Sequence, residues 1–283
     1  MKLSRYKHSS PVSYAFGATL CLELLKTRPD TIKRVFLRPN TNHGQDLNRI
    51  LEELAERHIE IIESPKPFNI LSAKDSCLLI AEFTKFATTL DATKNHLVLA
   101  NPSDAGNLGT IIRTAAAMNF NNLAIIEPAV DHFNPKVVRA TMGAIFHLNI
   151  EYFPNFETYT KKYPRPCFAF MLDAKSQPAE NFINAKAPYS LVFGNEATGL
   201  PDSFANTCQP VILRQSSQVD SLNLSIAASI AMYLLNNKNP PPKGDFKIFK
   251  LLFFYRFIYY WLFFVGRHVA INFNALMYFF LLT

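Results

Sequence analysis

From His96 to Leu235, short apolar runs of strand character alternate with segments whose apolar residues recur at helical spacing. The strand-like runs are Leu97–Ala100, Leu123–Ile126, Cys167–Leu172, Leu191–Phe193 and Val211–Leu213. Helical patterns cover Gly109–Met118, Pro135–Gly143 and Leu222–Leu235. Strand followed by helix, repeated, predicts an α/β fold in which helices flank a mostly parallel sheet. In such sheets ligands bind at the carboxyl ends of the strands. Three of those strand ends pass into stretches rich in Gly, Asn or Ser: Asn101–Arg113 (NPSDAGNLGTIIR), Leu191–Pro201 (LVFGNEATGLP) and Leu213–Ser225 (LRQSSQVDSLNLS). They predict one site built from three loops along one sheet edge.

A smaller α/β unit precedes this region, over residues 12–84. Tyr14–Leu25 and Leu47–Arg57 read as helices, the second with Ile50, Leu51 and Leu54 on one face. Ile32–Leu37, Ile59–Ile62 and Leu78–Phe83 read as strands. Residues 1–11 read as a flexible basic arm and 85–95 as a linker, so the second domain is expected over 96–238. The run Asn236–Gly244 contains three consecutive prolines and ends any helix. Residues 239–283 are then a Pro-rich linker and a hydrophobic tail. From 246 onward Phe, Tyr and Leu dominate and acids are absent. Leu251–Val265 holds Arg256 and is short for a span of roughly 20 residues. Two readings stand for the tail. One is membrane contact, with Lys247, Lys250 and Arg267 at its borders. The other, favoured, is a frame-disrupted or poorly structured end.

The formal net charge of +7 suits a polyanionic partner, most simply nucleic acid, and also suits a merely basic surface. The four cysteines show no C-x-x-C and no Cys/His cluster at metal-ligand spacing, so no metal site is expected. Cys21, Cys77 and Cys167 lie beside apolar runs and read as buried thiols of a reduced compartment. MKLSRYKHSS lacks the apolar core of a signal peptide, and a cytoplasmic location is expected.

Each loop has a chemical and an ordinary explanation. Gly106 and Gly109 would allow close backbone approach to a ligand, and a helix beginning there could face an anion. Arg113, four residues after Gly109, could point to the same mouth and hold a phosphate. Taken alone, it reads more simply as a surface arginine on an ordinary helix. Glu196, between two glycines, could hold a ribose hydroxyl or Arg113, or be a solvated turn residue. Ser221 suits a helix N-cap, and Asn223 can donate to and accept from a substrate hydroxyl. No G-x-x-x-x-G-K-[ST] is present and no G-x-G-x-x-G opens a helix, which argues against a nucleotide triphosphatase or a dinucleotide-dependent dehydrogenase.

Taken in order, NPSDAGNLGTIIRTA, VFGNEATGL and SLNLS resemble the three motifs of the SpoU/TrmH family of S-adenosylmethionine-dependent RNA ribose 2′-O-methyltransferases, in the SPOUT superfamily. Asn134–His147 resembles the helix between the family's motifs, and the resemblance covers roughly 96–236. Residues 12–84 resemble, more weakly, a ribosomal-protein-like substrate-binding domain. The resemblance implies a trefoil-knotted sheet with S-adenosylmethionine held in the knot, largely by backbone groups. It places cofactor contacts at Gly194, Leu213, Leu222 and Ser221, and catalytic roles at Arg113, Asn107, Glu196 and Asn223. It also implies a homodimer through the knot region and an RNA partner, ribosomal RNA in preference to transfer RNA. Transfer RNA methylation and a non-catalytic RNA-binding homologue are the alternatives. A guanidinium is a poor proton acceptor, so Arg113 is expected to clamp a phosphate of the target, or to pass a proton only when strongly perturbed. The chain departs from the family at the third motif, where Leu213-Arg-Gln-Ser-Ser-Gln218 stands in place of Ile-Pro-Met-x-Gly.

Overall fold

The computed structural model describes residues 3, 5–40, 44–71, 76–172 and 175–235. The tail, with its two readings, lies outside the described residues.

The amino-terminal part builds a four-stranded sheet in the order β1–β4–β2–β3. Its elements are β1 (Val12–Phe16), α1 (Ala18–Thr27), β2 (Ile32–Leu37), α2 (Gln45–Glu56), β3 (Ile61–Glu63), α3 (Lys66–Ile70) and β4 (Leu79–Thr84). β4 pairs antiparallel with both β1 and β2, while β3 lies parallel to β2. α2 buries Leu47, Ile50 and Leu54, spaced along one helical face. The helix expected over Tyr14–Leu25 is instead two elements. Gly17, at φ 93°, turns the chain between β1 and α1 in a region that side chains disfavour. All five residues of β1 are buried, so the strand shows no polar–apolar alternation to betray its period.

The second part builds a seven-stranded sheet in the order β7–β6–β5–β10–β8–β11–β9. In chain order it contains β5 (His96–Ala100), α4 (Ala105–Ala117), β6 (Asn122–Ile126), α5 (Pro135–Ala140), β7 (Asn149–Phe153) and α6 (Phe156–Lys162). It continues with β8 (Cys167–Phe170), β9 (Gln177–Pro178), β10 (Ser190–Phe193), β11 (Gln209–Ile212) and α7 (Leu224–Leu235). Every pairing in this sheet is parallel. The central strands β5, β6 and β10 are buried throughout and read as continuous apolar runs. The edge strands β7 and β9 carry no such signal and escape the sequence pattern.

Three helix boundaries differ from expectation, each for a local reason. α4 starts at Ala105, four residues before Gly109, because the Asp104 side chain accepts from the Asn107 amide at 2.7 Å and caps the helix. α5 stops at Ala140, where Met142 (φ 52°) and Gly143 (φ 94°) turn the chain. α7 starts at Leu224, and the side chain that accepts at its start is Asn223, which takes the Ser225 amide at 2.9 Å, rather than Ser221.

The two sheets share one apolar cluster. Ala15, Leu24 and Phe83 of the first part and Leu97, Ile111 and Phe146 of the second belong to it. Phe83 meets Phe133 and Phe146 edge-on, with ring centroids 6.0 and 5.5 Å apart. Ser13 Oγ donates to the Phe133 carbonyl at 2.5 Å. Lys85 Nζ reaches the half-buried Asp131 carboxylate at 2.9 Å, and Tyr6 donates to the same carboxylate.

Candidate functional site

The carboxyl ends of β5 and β10 bring the first two loops together. Asn101, at φ 55°, ends β5, and its carbonyl accepts from Asn195 Nδ2 at 2.8 Å. Beyond β10 the chain folds back on itself: Asn195 and Gly199 exchange backbone hydrogen bonds of 3.2 and 2.9 Å. A Cβ at Gly194 would lie 2.1 Å from the Gly199 carbonyl carbon, so only glycine fits. Gly199 itself takes φ 67°.

This turn aims Glu196 at the start of α4. One carboxylate oxygen accepts from the Ser103 amide (3.1 Å) and hydroxyl (2.8 Å), the other from the Asp104 amide (3.1 Å) and Asn107 Nδ2 (3.3 Å). Burial works to raise its pKa, but the donors around it outweigh that effect and hold the carboxyl below its ordinary range. The anion that the helix start was expected to attract is thus the protein's own Glu196. The third loop closes the cluster: Asn223 Nδ2 donates to Asn107 Oδ1 at 3.0 Å. Asn223 Oδ1 in turn accepts from the Ser225 amide and hydroxyl. Glu196, Asn107 and Asn223 therefore form one chain of hydrogen bonds across all three loops.

Beside it opens a pocket of about 430 Å³. Gly194, Leu213, Leu222 and Ser221 all line it, together with Phe170 and Phe193, whose rings stack at 4.5 Å. The departure at the third motif has a local substitute. Gln215, also on the pocket wall, donates from Nε2 to the Asp220 carbonyl at 3.1 Å and ties the loop across its own base.

Two sequence expectations take a different form in the structure. Gly109 lies inside α4, where a Cβ would sit 2.3 Å from the Ala140 Cβ; it permits close packing of α4 on α5, not approach of a ligand. Arg113 is exposed on α4, does not line the pocket, and makes no hydrogen bond or ion pair among the described residues, with Glu196 or any other. Sequence reasoning missed Ser103, Asp104 and Asn195. Asp104 could have been found from its spacing, since an Asp three residues before Asn107 at the start of a helical pattern is an N-cap signature. Among the described residues no group of His, Cys, Asp and Glu could hold a metal, and no helix is long and apolar enough to cross a membrane.

Comparison with known proteins gives this geometry a context. The family model described as "SpoU rRNA Methylase family" matches residues 94–233. A second, described as "RNA 2'-O ribose methyltransferase substrate binding", matches residues 14–67. A Bacillus subtilis protein provisionally named tRNA (cytidine(34)-2′-O)-methyltransferase is 32% identical over 143 residues, 49% of this chain and 89% of that protein. The 23S rRNA (guanosine(2553)-2′-O)-methyltransferase RlmP of the same organism is 26% identical over 227 residues, 77% of this chain and 86% of its own length. A Synechocystis relative is 30% identical over 139 residues, and the chain spans about half (51%) of it. The crystal structure of an AdoMet-bound rRNA methyltransferase from Sinorhizobium meliloti shares the fold, with a TM-score of 0.70 at 24% identity over 81% of this chain and 88% of that one.

Proposed function

The chain belongs to the SpoU/TrmH family of RNA methyltransferases, and from that premise we propose that it methylates a ribose 2′-hydroxyl of ribosomal RNA, using S-adenosylmethionine. The observation that carries this reading is the hydrogen-bonded chain Glu196–Asn107–Asn223 beside a pocket lined by Gly194, Leu213, Leu222 and Ser221. The pocket fits such a cofactor: aromatic rings and leucines suit the flat face of a heterocycle, and the turn of residues 194–199 offers backbone groups to its polar edge. When bound, S-adenosylmethionine supplies a methyl group already activated by its sulfonium sulfur.

The residues of the chain then have mainly to position the hydroxyl, and geometry of this kind supplies a large part of a barrier reduction. Glu196 stays ionised and fixes Asn107 and the start of α4. Asn107 is held from both sides, so its amide presents a fixed direction to a ribose. Arg113, on the same helix and without a partner among the described residues, takes a phosphate next to the target ribose. The favoured substrate is ribosomal RNA. The relative named for 23S rRNA aligns over 77% of this chain, more than the catalytic match alone, whereas the one named for tRNA aligns over 49%.

A homodimer completes the reading. Ile226, Ile230 and Tyr233 stand exposed along one face of α7, the helix that follows the third loop, and a second copy is the partner that would cover them. Incubating the full chain with methyl-labelled cofactor and purified ribosomal or transfer RNA tests the substrate. Label in ribosomal RNA alone is expected; label in transfer RNA alone would replace that choice with the second one.

A further inference from the structure

A second cavity, of about 260 Å³, lies between the small sheet and the loop that joins β6 to α5. Its floor is apolar, with Phe16 of β1, Leu71 and Pro135. Its rim carries Arg5, Tyr6 and Lys136. The Arg139 guanidinium covers the Phe16 ring at 4.6 Å and adds a third cation beside the rim. Arg5 and Lys136 form no ion pair among the described residues. The carboxylate that Tyr6 touches, Asp131, is already answered by Lys85. The cavity is therefore lined mainly by apolar groups, with Asn134 the polar exception, and among the described residues the cations at its mouth have no ion-pair partner.

Its position links it to the Glu196 network. The β6–α5 loop is bonded to the first site loop, with the Val130 amide donating to the Pro102 carbonyl at 2.9 Å and Asn101 Nδ2 to the Pro128 carbonyl at 3.4 Å. Both loops leave the carboxyl ends of adjacent strands, β5 and β6. The walls are fixed to each other through Ser13 and Phe133 and through Lys85 and Asp131. A ligand would find the cleft preformed, which lowers the ordering cost of binding.

We propose that this cavity is a second nucleotide site, which takes an unstacked base of the same RNA strand at a distance from the methylated ribose. The base lies against Leu71, Pro135 and the small part of Phe16 that stays exposed, and its phosphate is held by Arg5 and Lys136. An apolar and aromatic floor with a cationic rim is how proteins hold unpaired bases, whereas a duplex keeps its bases stacked away from such a slot. The proposal rests on the reading of the chain as an enzyme acting on RNA.

The test uses the full chain and a fluorescent single-stranded oligouridylate of eight nucleotides carrying one 4-thiouridine. Binding is followed by anisotropy at several salt concentrations, and photo-crosslinks are mapped by mass spectrometry. The double variant Arg5→Glu, Lys136→Glu is expected to bind roughly tenfold more weakly, with a shallower salt dependence, while binding S-adenosylmethionine as the unaltered protein does. Crosslinks are expected on the peptides carrying Tyr6, Phe16 or Leu71. The milder Lys136→Ala, at an exposed position, gives a smaller loss in the same direction and guards against misfolding of the double variant. Unaltered affinity in both variants, crosslinks confined to residues 101–107 and 194–200, or no oligonucleotide binding at all would overturn the proposal. A protein that binds and crosslinks the oligonucleotide as described but takes up no S-adenosylmethionine would defeat the methyltransferase reading and leave this site standing.

Discussion

The two ends of the parallel sheet both carry side-chain hydrogen-bond chains, and they are closed to different degrees. At the amino end, His96, Tyr159 and Ser190 are fully buried. One ring nitrogen of His96 meets the Asp91 carbonyl at 2.9 Å and the other the Tyr159 hydroxyl at 3.0 Å, which in turn meets Ser190 Oγ at 2.5 Å. Burial holds His96 neutral, its pKa pushed down to about 4. At the carboxyl end, Glu196 is ionised, Asn107 and Asn223 reach the surface, and Arg113 has no partner among the described residues. The difference is one of exchangeable partners. A closed buried chain gives specificity and stability and loses both when opened. A chain at a pocket's mouth can trade a weak bond for a ligand at small cost. On the proposed reading, function belongs to the open end and rigidity to the closed one.

Gly194→Ala is the most severe way to break this comparison. The added methyl group meets the backbone of Gly199 and Leu200 within 2.4 Å. Loss of measurable cofactor binding is expected by calorimetry, with a stability cost of about 1–3 kcal/mol in thermal unfolding. Arg113→Ala comes next. Methyl transfer should fall roughly 100-fold while the melting temperature stays unchanged, because the side chain has no partner among the described residues. Tyr159→Phe addresses the other end: removing the hydroxyl between His96 and Ser190 should cost about 1–3 kcal/mol of stability with methyl transfer unchanged. If Arg113→Ala destabilised the fold, or Tyr159→Phe slowed catalysis at full stability, the division between the two ends would be wrong.

The last expectation is a pH dependence of stability. His96 and His132 are both held neutral by burial, each with its pKa lowered from 6.5 to about 4. Below 6.5 the unfolded chain takes up protons that the folded chain refuses. This contribution is therefore complete above 6.5 and is lost as pH falls toward 4. Glu196, held below its ordinary 4.5, adds to the loss only further down. Melting temperatures taken between pH 7 and 4 check the sign, and a flat profile would contradict it.

What the sequence revealed follows from the same physics. The central strands and the three loops were legible because full burial leaves continuous apolar runs and because strand ends collect Asn, Gly and Ser. β1 was hidden by its burial on both faces, and β7 and β9 by their edge positions. Gly109 shows the limit of reading a glycine from its neighbours: the space it saves is claimed by Ala140, a residue 31 positions away in the chain. The meeting of Glu196 with the start of α4 depends on β10 pairing with β5, which no local pattern encodes.

The central claim, that the open end of the sheet transfers a methyl group to ribose, is tested most directly by the chemical position of the label. RNA methylated by the full chain with labelled S-adenosylmethionine is digested to nucleosides and separated. All label is expected in one 2′-O-methylnucleoside, and none when Asn107 and Arg113 are both replaced by alanine. Label on a base, or no transfer to any RNA by a protein that binds the cofactor, would contradict it.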